Sequence, residues 1–160
     1  MTRERFIELV EQEQEGLRRF LLALCEGNRE DADDLAQEAL LKAYLSYDGF
    51  VERFKFSTWL YRIAYNSFID YTRRQHPPTT GIEQAAEEPN SEDTDTYQYE
   101  RLYHALEGLP TNEKTAILLF YMESKSIMEI AHIMRKPTGT IKSYLSRGRT
   151  HLKSILSHDN

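Results

Sequence analysis

The apolar residues of this chain recur at three- and four-residue intervals, and no stretch alternates apolar with polar in the manner of a half-buried strand. A chain patterned this way can bury its stripes only by packing helix on helix, so the expected fold class is all-α. Leu17, Phe20, Leu21 and Leu24 make the first stripe, on a helix that stops near Gly27-Asn28. Asp31 then caps a second helix from about Ala32 to Tyr47, with Ala36, Ala39, Leu40, Ala43, Tyr44 and Tyr47 toward the core. After the aromatic stretch FVERFKF, Ser57 or Thr58 caps a third helix from Trp59 to about Arg74. His76-Pro77-Pro78 ends it, because proline lacks the N–H donor and clashes with the preceding turn. From Pro77 to about Asp95 the sequence PPTTGIEQAAEEPNSEDTD is too poor in large apolar groups to fold by itself. Helices resume at Tyr97 to Leu106, and Pro110-Thr111 starts another that carries Ile117, Leu118, Phe120 and Tyr121. The expected organisation is two small helical modules, 1–76 and 97–160, joined by a flexible acidic linker over 77–96.

Charge is distributed in blocks that the net value of -6 conceals. Residues 53 to 76 hold Arg53, Lys55, Arg62, Arg73 and Arg74 against Asp70 alone, and 135 to 153 hold six cations and no acid. Between them, residues 77 to 100 carry seven acids and no base. Two basic islands predict two places for a polyanion, and the acidic remainder predicts a cationic partner. No apolar run approaches the ~20 residues of a membrane helix, so no membrane insertion is expected. The N-terminus MTRERFIELVEQEQE lacks the apolar stretch of a secretory signal, so a cytoplasmic location is expected. Cys25, the single cysteine, reads as a small core residue in a reducing compartment. Catalysis finds no support: His76, His104, His132, His151 and His158 show no metal spacing, and no glycine-rich phosphate loop or Ser-His-Asp order is present. Neither a cofactor nor a small-molecule substrate is expected.

From Ser126 the sequence SIMEIAHIMRKPTGTIKSYLSRGRTHL fits a helix-turn-helix. Ser126 with Glu129 three residues on makes a capping box. Ile127, Ile130, Ala131 and Met134 face inward, Arg135 to Pro137 break the helix, and Thr138 or Gly139 opens a second one with Ile141, Leu145, Leu152 and Leu156 inward. Its other face displays Lys142, Ser143, Tyr144, Ser146, Arg147 and Arg149. Such a face suits a DNA major groove, where Arg and Lys meet guanine or phosphate and no carboxylate repels the backbone.

Three segments together resemble the extracytoplasmic-function (ECF) sigma factors, the smallest members of the sigma-70 class. DADDLAQEALLKAY, from Asp31 to Tyr44, is similar to the helix by which that family grips the clamp helices of polymerase beta-prime, and the resemblance implies polymerase contacts at Asp34, Gln37 and Glu38. FKFSTWLYRIAYNSFIDYTRRQ, from Phe54 to Gln75, resembles the minus-10 recognition element, its core falling on Thr58, Trp59, Leu60, Arg62, Ile63, Ala64 and Asn66. Aromatics interleaved with cations are what separated strands need, since extruded bases stack on flat apolar faces and phosphates need positive charge. The minus-10 contacts expected here are Lys55, Trp59, Arg62, Asn66, Arg73 and Arg74, with Leu60 and Ile63 serving the core. The helix-turn-helix resembles the minus-35 module, with Gly-Thr-Ile-Lys-Ser at Gly139 to Ser143, which adds Thr140 to Lys142, Ser143, Tyr144, Ser146, Arg147 and Arg149. Tyr144 stands where many members carry Arg, and Gly148 where Ala is usual, which predicts a looser helix there. The resemblance implies a non-enzymatic factor that binds core RNA polymerase, including its beta flap, together with promoter DNA, and is held in check by an anti-sigma factor. The alternative is a stand-alone helix-turn-helix repressor or activator, which has no need of a strand-separating surface.

Overall fold

In a computed structural model the described residues are 1–51, 55–75 and 94–158, with side chains at 75, 94–99 and 158 outside the description. The proposed linker lies outside the described residues up to position 93. The described chain is helical and falls into two compact units, one built on three helices and the other on three more with most of a fourth.

The first unit holds α1 (Arg3–Leu24), α2 (Arg29–Ser46) and α3 (Phe56–Gln75), with a short 3-10 turn over Tyr47–Gly49. Thr2 caps α1 by accepting from the Arg5 N–H at 3.1 Å. Gly27 at φ +86° turns the chain through the left-handed region that its missing Cβ permits, and leaves Asn28 extended. Asn28, rather than Asp31, therefore caps α2, its side-chain oxygen accepting from the Asp31 N–H at 3.1 Å. The helix consequently begins three residues earlier than the sequence predicts. The freed Asp31 carboxylate accepts a hydrogen bond from the Tyr71 hydroxyl of α3. Burial, that hydrogen bond and the adjacent carboxylate charge push the Tyr71 phenol well above its ordinary value, because each disfavours the phenolate.

Leu17, Phe20, Leu21 and Leu24 are buried as the stripe predicts. On α2 the buried set is Leu35 with Ala32, Ala36, Ala39 and Ala43, and the four alanines let α1 and α3 approach closely. Tyr44, expected in the core, is 43% exposed; its ring sits at the outer edge of an aromatic cluster with Phe6 and Tyr47. Ser57 and Thr58 do not cap α3 from outside. They lie within its first turn and are buried, since the helix starts at Phe56.

The rest of the described chain forms α4 (Thr94–Glu107), α5 (Thr111–Ile117), a π-type turn over Leu118–Met122, α6 (Ile127–Met134) and α7 (Thr138–His158), the second unit taking all of these but His132–Met134. Helix α4 thus begins inside the stretch read as linker. The capping box at α6 forms as predicted, with Ser126 Oγ accepting from the Glu129 N–H at 3.1 Å and Glu129 Oε1 from the Ser126 N–H at 3.2 Å. Arg135 at φ +55° ends α6. Ile130 and Met134 are buried, whereas Ile127 and Ala131 are only half-buried and Ile133 takes a buried place the periodicity did not assign. Ile141 and Leu145 of α7 are buried; Leu152 and Leu156, also expected inward, are half-buried. At Gly148 the two helices pack closely: a Cβ there would stand 2.8 Å from Cγ1 of Ile117, so α5 leaves no room for a side chain at this point of α7.

Candidate functional site

The α2 helix shows one face that its own unit does not cover. Asp34 and Gln37 are exposed on it and Glu38 is half-buried. Glu38 pairs with Lys42 one turn on at 3.0 Å, and Lys42 Nζ also donates to Ser67 Oγ at 3.2 Å, which ties this face to α3. The same face continues into Leu41 and Leu45, 59% and 75% exposed. Sequence reasoning missed these two leucines, although their spacing of four and eight from Gln37 puts them on its face.

Helix α3 aligns most of the second predicted set. Trp59, Arg62, Asn66 and Arg73 follow one another by three, four and seven residues, the steps that keep side chains on one helical face, and Lys55 stands just before the helix with its carbonyl accepting from the Trp59 N–H at 3.3 Å. Lys55 and Arg73 are exposed; Trp59, Arg62 and Asn66 are half-buried. Trp59 rests against Phe50 at 5.4 Å and Phe56 at 5.5 Å between ring centres, so one side is fixed by aromatics. Leu60 is fully buried, as expected of a core residue, whereas Ile63 is half-buried. Arg74 stands off the stripe, and with Arg73, Asp70 and Glu38 it lines an open depression of about 380 Å³. The first and second predicted sets, separate in the sequence, therefore adjoin at Glu38.

On α7 the predicted residues divide. Positions 147 and 149 point about 200° apart on a helix of 3.6 residues per turn, so both arginines cannot enter one groove head-on. Lys142, Ser143, Ser146 and Arg147 are exposed, and Thr140 and Tyr144 half-buried along the far flank. Arg149 turns the other way: its Nε donates to the Tyr121 hydroxyl at 2.6 Å, and its guanidinium lies over the Tyr121 and Phe120 rings at 5.6 and 5.9 Å. Beside it opens a groove of about 610 Å³ whose walls include Leu102, Leu106, Ile117, Met122, Leu152 and Leu156. Leu152 and Leu156 fall short of full burial because they face this groove.

Glu113, which the sequence reading passed over, lies in the first turn of α5 and is only 4% exposed. Its Oε2 meets His151 Nδ1 at 2.7 Å and its Oε1 lies 3.9 Å from Arg147 Nε. Among the described residues no group of His, Cys, Asp and Glu could hold a metal ion, and no helix is long and apolar enough to cross a membrane.

A helical unit with an exposed acidic and apolar face beside an aromatic and cationic stripe, followed by a helix-turn-helix unit, defines a sigma-70-type protein. Residues 9–77 match Sigma-70 region 2 and residues 99–152 match Sigma-70 region 4. The ECF RNA polymerase sigma factor SigW of Bacillus subtilis is 34% identical over 81% of this chain and 78% of its own length. The ECF RNA polymerase sigma-E factor of Haemophilus influenzae is 36% identical over 79% and 75%. In solved structures, the sigma factor RpoE of Bartonella quintana, crystallised with the anti-sigma factor NepR, superposes with a TM-score of 0.84 at 27% identity, covering 98% of this chain and 99% of that one. The chain belongs to the ECF RNA polymerase sigma factors. It is a transcription initiation factor and not an enzyme.

Proposed function

We propose that the first unit grips core polymerase through α2 and meets the melted minus-10 strand along α3, while α7 of the second unit enters the minus-35 major groove. Asp34, Gln37 and Glu38, extended by Leu41 and Leu45, face the beta-prime clamp helices, an acidic and apolar surface against a cationic one. Lys55, Trp59, Arg62, Asn66, Arg73 and Arg74 serve the minus-10 strand: the cations neutralise phosphate, Trp59 offers a flat face and Asn66 an amide for a base edge. Thr140, Lys142, Ser143, Tyr144, Ser146 and Arg147 serve minus-35. Arg149 is the exception, since it points about 200° away from Arg147 around the helix, toward Tyr121 and the apolar groove. That groove is the surface we assign to the beta flap. Because RpoE was crystallised with an anti-sigma factor, an anti-sigma factor covering these same surfaces is the regulator we assign. Cytoplasmic action follows from the polymerase partner.

The α3 stripe carries this reading. Four residues of the types single-stranded DNA requires, with Lys55 just ahead of them, lie on one face of a helix whose opposite side, Leu60, Tyr61, Ala64 and Phe68, is buried. A repressor using the helix-turn-helix alone gains nothing from such a stripe. Addition of core polymerase separates the two: specific promoter binding and opening should require core, with opening followed by a fluorescent base analogue at minus-10. Tight specific binding to duplex promoter by the free chain would overturn the proposal.

A further inference from the structure

A buried carboxylate directed at a recognition helix is costly unless it is paired, and Glu113 is paired twice by α7. Its two oxygens meet residues one turn apart, His151 at 2.7 Å and Arg147 at 3.9 Å. Cβ of Glu113 would also stand 3.6 Å from a Cβ on Gly148, so the acid packs directly against α7. Arg147 is held along one edge. Its Nε donates to the Ser143 carbonyl at 3.4 Å, the Glu113 carboxylate adds an ion pair on the same edge at 3.9 Å, and its guanidinium lies 5.6 Å from the centre of the Tyr144 ring. Every contact described for Arg147 uses Nε or the face of the guanidinium, and its side chain is 60% exposed. The two terminal nitrogens are the pair that meets guanine O6 and N7 in bidentate readout.

We propose that Glu113 is a specificity-determining positioning residue: it anchors the Nε edge of Arg147 so that the terminal fork is presented to a guanine of the minus-35 element. The inference rests on the reading of α7 as the groove helix and adds a base preference and its source. A long arginine side chain otherwise samples many rotamers, and fixing it beforehand lowers the entropy lost on base contact. Glu113 itself never touches DNA. Its removal should therefore reduce discrimination at one base pair and leave affinity for other sequences alone, whereas a purely structural clamp would weaken every sequence together.

The test uses holoenzyme made from the full chain and core polymerase, with promoter fragments varied singly at each minus-35 position. Open-complex formation is titrated for wild type, Arg147→Ala, Glu113→Gln and Glu113→Asp. Glu113→Gln keeps the shape and removes the charge; Glu113→Asp keeps the charge and withdraws the oxygens, which preserves the test if the first variant folds poorly by circular dichroism. Wild type should prefer guanine at one position, and Arg147→Ala should abolish that preference. Both Glu113 variants should reduce it about fivefold or more, the lower range for one bidentate pair, without changing affinity for promoters that lack the guanine. If Arg147→Ala flattens one position and the Glu113 variants do not, or weaken all promoters alike, the positioning role is overturned. If Arg147→Ala alters no position, the groove reading itself fails and the role of Glu113 falls with it.

Discussion

Gly148 shows how one missing Cβ sets the spacing of the second unit. Alanine is the better helix former by about 1 kcal/mol, so helix propensity alone would favour Gly148→Ala. Packing opposes it: the new Cβ would meet Ile117 Cγ1 at 2.8 Å and Cδ1 at 3.2 Å, and overpacking of this kind costs typically ~1 to 3 kcal/mol. Gly148→Ala should therefore lower the stability of the second unit in thermal unfolding followed by circular dichroism. Combined with Ile117→Ala it should cost less than the two single changes summed, because the truncated side chain vacates the space the methyl needs. A stabilised Gly148→Ala would show that α5 and α7 part without cost. At the same scale, Arg147 and Arg149 are near neighbours in sequence with opposite fates, one toward a carboxylate and the exposed face, the other onto two aromatic rings.

At the scale of an element, α2 presents two unlike sides. Its buried side is nearly all alanine, and its outer side runs from Asp34 and Gln37 to Leu41 and Leu45. Leucines this exposed add little to the fold, so Leu41→Ser with Leu45→Ser should change stability by no more than roughly 0.5 kcal/mol each. On a polymerase they would be buried, and burying a leucine side chain is worth about 1.5 to 3 kcal/mol. Core-polymerase affinity of the double variant should accordingly fall by at least about tenfold, measured by fluorescence anisotropy of labelled chain. An unchanged affinity would remove the α2 face from the polymerase interface.

For the whole molecule, the two matched regions lie on separate compact units. Asn66 lies on α3 and Lys142 on α7, and each is assigned a different step, base capture after opening and phosphate contact at minus-35. Asn66→Ala should impair opening while leaving minus-35 binding intact, and Lys142→Ala should weaken binding to all minus-35 sequences alike. In the double variant the two losses of initiation should add in free energy within about 0.5 kcal/mol, as expected for independent sites. Strong non-additivity in transcription titrations would mean that the two surfaces act in a single step.

Periodicity and punctuation in the sequence were enough to determine the helical class and the helix-turn-helix with its capping box, and its motifs carried the family. These features depend on neighbours within about four positions, and such local terms are legible in one dimension. The α2 start was not, because Asn28 and Asp31 are both good caps and the left-handed Gly27 decided between them. Neither was the α7 face. Periodicity gives the angle of each side chain around the helix but not what stands opposite, and it took α5 and the π-type turn after it to put Glu113 beside Arg147 and Tyr121 beside Arg149. Leu152 and Leu156 carry the same inward spacing as Ile141 and Leu145, yet only packing leaves the first pair facing an open groove and seals the second. Burial is a property of what other elements bring, and those elements come from distant parts of the chain.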